Sequence, residues 1–224
     1  MRKLILDTET SGLNFESDRI IEVACLELVD DVSSGVKFHK YFSPGDIIIS
    51  NHAEQIHGLN NSFLKSFSTF DEEISEFLEF ISDSPLIIHN AQFDLNMINS
   101  ALSRTKNRLI QYEKTICTLE IAKKKFPGSK NNLNALCRRF NISLEDRVKH
   151  GALTDCYLLL QVYIELIGGK QKKLEFSRKI KENKMIERKY RPDGLPIIEV
   201  SKEEEALHKE MVNNLGLSYW KTII

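Results

Sequence analysis

Apolar positions along the first 170 or so residues change period in a way that separates strands from helices. Leu4-Ile5-Leu6 is a short apolar run that ends in acids, Ile20–Val29 is a second extended stretch and Phe38–Phe42 a third. Ser33-Ser34-Gly35, between the last two, has turn chemistry, so a hairpin-like meander is predicted. From Thr69 to Ile81 the spacing becomes helical: Phe70, Ile74, Phe77, Leu78 and Ile81 recur on one face, and Thr69 with Glu72 suits a capping box. Leu86-Ile87-Ile88 reads as a fully apolar strand, followed by a helix from about Asp94 to Leu102. Further helices are predicted over Thr118–Phe126, stopped by Pro127-Gly128, over Asn132–Phe140, and over Ala152–Ile167, closed by Gly168-Gly169. Strands in a meander, then strand and helices in alternation, give an α/β fold with a mixed sheet flanked by helices.

Past Gly169 the pattern changes. Residues 170–191 lack apolar periodicity and read as linker or a frayed helix, so 170–194 is taken as a basic flexible linker and 195–224 as a separate C-terminal segment. Leu195-Pro196-Ile197-Ile198 is a short extended piece; Ser201 then opens a helix with Glu204 at capping-box spacing. Leu207, Met211 and Leu215 fall four apart on one face of that helix, which Gly216 ends. One such helix cannot bury its stripe alone, so it docks on the body or on a partner. The body is then residues 1–169.

Composition narrows the class. With 42% hydrophobic and 28% charged residues the chain is an ordinary globular one, not disordered, collagen-like or stapled by disulfides. No apolar run approaches the roughly 18–20 residues of a membrane span, and the start, Met1-Arg2-Lys3-Leu4-Ile5-Leu6-Asp7, reaches acid too soon for a signal peptide. A cytoplasmic protein with no membrane partner is expected. The four cysteines, Cys25, Cys117, Cys137 and Cys156, form no CxxC pair and read as reduced core thiols. The net charge of −1 is uneven: residues 170–191 carry +7, residues 192–224 carry −3, and the body carries −5. An acidic body that handles phosphates needs cations in its site.

Candidate chemistry lies at the ends of elements. Asp7 and Glu9 end the first strand two apart, so both carboxylates project to one face. Taken alone, such a pair reads more readily as two solvated acids. Asp155 is the only charged residue between Gly151 and Ile164, and a lone carboxylate in so apolar a helix is costly unless paired or metal-bound. His150, five residues earlier, shares its face only from a loop entering the helix, a break that Gly151 permits. Asp94 follows an apolar strand and a polar loop, where N-capping would explain it unaided. Together, four clustered carboxylates would repel unless divalent cations neutralised them. Two hard cations about 3.5–4 Å apart cleave phosphodiesters by in-line attack. A histidine titrating near 6.5 is suited to deprotonating the attacking water.

Leu6-Asp7-Thr8-Glu9-Thr10-Ser11-Gly12, His89-Asn90-Ala91-Gln92-Phe93-Asp94 and His150-Gly151-Ala152-Leu153-Thr154-Asp155 resemble, in order, the three motifs of the DnaQ-like (DEDDh) 3′→5′ exonucleases. Within that family the chain is most similar to the epsilon, or proofreading, subunits of bacterial DNA polymerase III. Ile56-His57-Gly58-Leu59 resembles their substrate-side segment, and Phe126-Pro127-Gly128 with Asn132-Leu133-Asn134-Ala135-Leu136-Cys137 the stretch before the third motif. The resemblance implies an RNase H-like sheet, two Mg²⁺ or Mn²⁺ ions, and release of nucleoside 5′-monophosphates from DNA 3′ ends. It makes Asp7, Glu9, Asp94 and Asp155 metal ligands and His150 the general base. Asp7, Thr8, Glu9, Thr10, His52, His57 and Asp155 become substrate contacts. His52 stands where an acid is familiar, and Asn134 where an Asp is usual.

The tail extends the resemblance. Gln171-Lys172-Lys173-Leu174-Glu175-Phe176 is similar to a sliding-clamp-binding peptide, in which Gln171, Leu174 and Phe176 would make the contacts. The helix from Ser201, with Leu207, Met211, Leu215 and Trp220, resembles a segment that binds the polymerase's alpha subunit. A small third core subunit is a further implied partner. The alternatives are a DEDDh exoribonuclease acting on RNA 3′ ends, which would not need the tail, and a non-enzymatic scaffold between polymerase and clamp. The complete acid set speaks against the scaffold.

Overall fold

The computed structural model describes residues 1–145, 147, 149–168 and 200–214, which divide into two compact units, Met1–Leu174 and Glu175–Ile224. The first unit is built on five strands, β1 (Arg2–Thr10), β2 (Ile20–Val29), β3 (Val32–Tyr41), β4 (Leu86–Ile88) and β5 (Thr115–Cys117), in the order β3-β2-β1-β4-β5. β1 pairs antiparallel with β2 and parallel with β4, so the sheet is mixed, as expected. Three elements escape the sequence pattern: β5 is only three residues long, and the helices α1 (Asn51–His57) and α2 (Asn61–Leu64) are too short to show a period.

The central strand is covered on both faces. Leu4 and Leu6 belong to one core with Ile74, Phe77 and Ile81 of α3 (Phe70–Ile81) and Leu95, Ile98 and Leu102 of α4 (Ala91–Arg104). Ile5 points the other way, into a second core with α6 (Leu133–Arg139) and with Cys156, Leu159, Val162 and Tyr163 of α7 (Ala152–Leu166). A side chain such as Leu6 or Ile87, wholly withdrawn from water, contributes about 1.5–3 kcal/mol. This alternation decides where the chemistry falls. Asp7 and Glu9 continue the face of Ile5 toward α7, whereas Thr8 and Thr10 continue the face of Leu6 toward α4. The remaining helix of this unit is α5 (Thr118–Lys125). The four cysteines are free and buried.

Two boundaries differ from expectation, the β2–β3 turn and the start of α4, while β1 ends as expected, just past Glu9. The β2–β3 turn is Asp30-Asp31, with φ of 52° and 64°, and not Ser33-Ser34-Gly35, which lies inside β3. A two-residue hairpin turn requires φ > 0 at both positions, which aspartate tolerates, and Lys3 Nζ stabilises it through Asp31 at 2.7 Å. β1 runs on through Asp7 and Glu9 to Thr10 because β2 stays paired with it to the end, through a register shift at Glu9/Thr10. α4 begins at Ala91, with Asn90 in the left-handed region at its N-cap, so Asp94 sits within the first turn and is not the cap.

The second unit contains α8 (Lys202–Asn214). Ser201 and Glu204 form the expected reciprocal cap: Ser201 N–H donates to Glu204 Oε2 at 3.0 Å, and Glu204 N–H to Ser201 Oγ at 3.2 Å. Leu207 and Met211 are exposed on this helix. Leu215, Gly216, Trp220, the Gln171–Phe176 peptide and the Leu195–Ile198 piece lie outside the described residues. Among the described residues no helix is long and apolar enough to cross a membrane.

α3 carries both halves of its capping box, with Thr69 N–H donating to Glu72 Oε2 at 2.8 Å and Glu72 N–H to Thr69 Oγ1 at 3.3 Å. Thr69→Ala should therefore lower unfolding free energy by about 0.5–2 kcal/mol in urea melts, while Thr69→Ser keeps most of it. Equal losses in both variants would assign the effect to the methyl group instead.

Candidate active site

Two helices meet the C-terminal half of β1. The strand supplies Asp7 and Glu9, which are partly exposed, the first turn of α4 supplies Asp94, and the first turn of α7 supplies Asp155. The last two are buried, each 4% exposed. Helix N-termini favour a carboxylate in the first turn, which offsets part of the cost of burying these two. Thr8 Oγ1 donates to Asp94 Oδ1 at 2.7 Å, so the Leu6 face of β1 fixes the α4 acid while the Ile5 face carries the other two. His150 sits on the loop entering α7, as the helical geometry required. Its N–H donates to the Ile56 carbonyl of α1 at 3.1 Å, and its ring is half exposed.

The electrostatics show the strain of gathering these acids. Burial, then the repulsion of Asp94, Asp155, Glu9 and Glu22, pushes the Asp7 carboxyl well above the usual range. Burial and the charges of Asp155, Glu22 and Asp94 raise Glu9 to about 8. Burial raises Asp94 to about 7, against the hydrogen bond from Thr8. Asp155 is the exception: burial pushes it up, but its contacts with His150 and Arg147 outweigh that and hold it below the ordinary value. Ligand atoms of Glu9, His150 and Asp155 all lie within 4.8 Å of one another. Hard oxygen donors whose proton affinity is raised by mutual repulsion are the donor set that a hard divalent cation relieves, so these residues fit a metal ion.

Beside the acids is a cavity of about 120 Å³ lined by Thr8, Glu9, Thr10, His52, His57 and Phe93, among others. All four side chains that the sequence assigned to substrate beyond the acids are brought together there. His57 Nδ1 accepts from the Leu59 N–H at 3.0 Å, so Nε2 carries the proton; it is buried, with the Thr10 backbone near but outside hydrogen-bonding geometry. Burial lowers the His57 pKa, which keeps it a neutral donor. His52 is exposed at the rim. Gly12 is required where the loop after β1 turns: a Cβ there would fall 2.4 Å from the Asp18 carboxylate.

Two residues were missed by sequence reasoning. Glu22 faces Glu9 across the β1–β2 ladder, is 3% exposed and pairs with His39 Nε2 at 2.8 Å. An acid flanked by apolar residues, Ile21 and Val23, inside the extended stretch Ile20–Val29 was the available signal. Arg147, described below, lies in the charged stretch Glu145-Asp146-Arg147-Val148-Lys149, which reads as solvated loop, and nothing in the sequence marks it.

A family model described as "Exonuclease" matches residues 4–163. A Rickettsia conorii protein named DNA polymerase III subunit epsilon is 42% identical over 224 residues, covering 96% of each chain. The Escherichia coli protein of that name is 38% identical over 75% of this chain and 72% of its own. Among solved structures, exonuclease X in complex with 5′-overhanging duplex DNA aligns with a TM-score of 0.55 at 24% identity, over 74% of this chain and 91% of its own. The fold and acid cluster define a nuclease. This chain belongs to the exonuclease family, and its most similar relatives include DNA polymerase III epsilon subunits.

Raised carboxyl pKa values make the metal-free protein pH-sensitive. Between pH 7 and 9 the unfolded chain has already lost these protons while the folded one still holds some, so stability falls as pH rises through about 7 and 8. The depressed His57 and His89 and the depressed Asp155 titrate below this window. Thermal melts in EDTA should show Tm falling from pH 7 to 9, and Glu9→Gln should flatten the slope. A flat wild-type profile would contradict the clustering.

Proposed function

We propose that the protein is the metal-dependent 3′→5′ DNA exonuclease that proofreads for a bacterial DNA polymerase III as its epsilon subunit. The observation that carries this reading is the convergence of Asp7, Glu9, Asp94 and Asp155, with His150 beside Asp155, in an exonuclease-family chain resembling epsilon subunits along almost its whole length. Two divalent cations, Mg²⁺ or Mn²⁺, held by the four carboxylates would supply charge neutralisation and lower the proton affinity of the attacking water. His150 accepts that water's proton. The water oxygen then attacks the terminal phosphorus in line, the bond to the 3′ oxygen breaks, and a nucleoside 5′-monophosphate leaves with a new 3′-hydroxyl on the strand. The Thr8–His57 cavity holds the terminal nucleotide, with the His57 Nε2–H as a donor and Thr10 and His52 at its edge. Mispaired ends are selected because a frayed terminus reaches the cavity at lower unpairing cost.

The reading extends to partners: the polymerase's alpha subunit at the segment from Ser201 that carries Leu207, Met211, Leu215 and Trp220, the sliding clamp through Gln171, Leu174 and Phe176, and a small third core subunit, each supported by the likeness of these stretches to epsilon-type sequences. The protein would work in the cytoplasm on DNA. The RNA reading gains no support from the relatives.

Purified protein on a 5′-labelled primer–template with a mispaired 3′ end should shorten it stepwise in Mg²⁺, faster than the paired end and faster than matched RNA, and not in EDTA. Asp7→Ala should bring the rate to background and His150→Ala should cut kcat by about 10²–10⁴-fold, with the fold intact by circular dichroism. Full activity in Asp7→Ala, or faster cleavage of RNA, would sink this reading. Replacing Leu174 and Phe176 with Ala should abolish clamp pull-down and leave exonuclease activity unchanged; loss of both would mean that the peptide serves the catalytic body.

A further inference from the structure

Arg147 holds its guanidinium inside the acid cluster, with its side chain 5% exposed. Nε donates to Asp155 Oδ1 at 2.6 Å and Nη2 to Asp155 Oδ2, so the planar fork takes both oxygens of the carboxylate. Nη1 donates to Asn134 Oδ1 on α6. Nη2 also lies 2.9 Å from His150 Nδ1, and since a guanidinium can only donate, Nδ1 is the acceptor. That contact takes precedence over the longer 3.4 Å approach of Nδ1 to Asp155 Oδ2. A neutral His150 therefore carries its proton on Nε2, and neither ring nitrogen is free to take another.

We infer that Arg147 is an internal counter-cation: it occupies Asp155 and His150 Nδ1 when no divalent ion is bound, and a divalent ion must displace it to use the site. The inference rests on the reading of these acids as metal ligands. Asp155 Oδ atoms belong to the group within 4.8 Å that also includes Glu9 and His150, so guanidinium and metal compete for the same oxygens. A unit positive charge bonded to one ligand also repels an incoming dication through a poorly screened interior. The arrangement has two consequences. It compensates a buried carboxylate that would otherwise stand uncompensated, keeping α7 and its entering loop aligned without metal. It also keeps His150 from acting as a base until the cation arrives, because the lone pair at Nδ1 is released only when Arg147 leaves. Arg147 is thus a positioning residue acting through Asp155 and His150. Asn134, a neutral acceptor, holds the guanidinium without adding a second negative charge that would anchor it.

The test uses the full chain and Mn²⁺ alone as probe, comparing wild type, Arg147→Met, which keeps length and loses charge, and Arg147→Lys, which keeps charge and loses the fork. Mn²⁺ affinity is read from the free-ion electron paramagnetic resonance signal, and thermal melts are run with EDTA and with saturating Mn²⁺. Arg147→Met should bind Mn²⁺ roughly tenfold more tightly, melt lower in EDTA, and gain more from Mn²⁺ than wild type does; Arg147→Lys should fall between. Unchanged or weaker Mn²⁺ binding in a folded Arg147→Met protein overturns the inference, since a purely structural ion pair would lower Tm without raising metal affinity. Should Arg147→Met fail to fold, Asn134→Ala loosens the same guanidinium without touching an acid and should tighten Mn²⁺ binding about two- to threefold; no tightening overturns the proposal. Failure of the wild type to bind Mn²⁺ at all would overturn the metal-site reading itself.

Discussion

The constraint on which the rest of the structure depends is the mutual repulsion of carboxylates gathered where water is scarce. Asp7, Glu9, Asp94 and Asp155, with Glu22 behind them, raise one another's proton affinity across the end of β1. No folding advantage comes from such a cluster; each acid would be more stable apart or replaced by an apolar group. The rest of the molecule compensates. Thr8 donates to Asp94, two helix N-termini place their positive ends at Asp94 and Asp155, and Arg147 clamps Asp155. The remaining imbalance is what a divalent cation corrects.

The fold holds this cluster by covering β1 on both faces. Because side chains alternate along the strand, one strand delivers Asp7 and Glu9 toward α7 and Thr8 and Thr10 toward α4, and so builds the acid cluster and the cavity lined by Thr8 and Thr10 side by side. A one-residue slip of β1 against β2 would exchange the two faces. The long ladder from Arg2↔Val29 to Glu9↔Glu22 prevents that slip, and the buried apolar residues Leu4, Ile5 and Leu6 make each register costly to leave.

Much of this was legible in the sequence because it depends on local chemistry. The α3 capping box, the fully apolar β4, the extent of β2 and the placement of His150 on a loop followed from spacing and residue type. The hairpin turn was misplaced because Ser-Ser-Gly has stronger turn composition than Asp-Asp, whereas the decision was made by pairing of β3 with β2 and by Lys3 reaching Asp31. β5 and the short helices α1 and α2 owe their form to neighbours rather than to period. Arg147 was invisible for a deeper reason: its role exists only because the fold sets its guanidinium against Asp155 at the start of α7, and in sequence it belongs to a charged stretch that reads as solvated loop. The four acids and His150 could be gathered only through the order of three motifs, since each alone has a plainer explanation.

The acids at the end of β1 hold protons that a cation must displace. Calorimetric titration of Mn²⁺ into the metal-free protein at pH 7, repeated in buffers of different ionisation enthalpy, measures that displacement. With Asp94 near 7, Glu9 near 8 and Asp7 held well above the ordinary carboxylate range, binding should release about one proton or more per protein at pH 7, and the release should shrink as the pH rises past the Asp94 and Glu9 values. Metal binding whose heat is independent of buffer at pH 7 would contradict the account, because the carboxylates would then be fully ionised before the cation arrived.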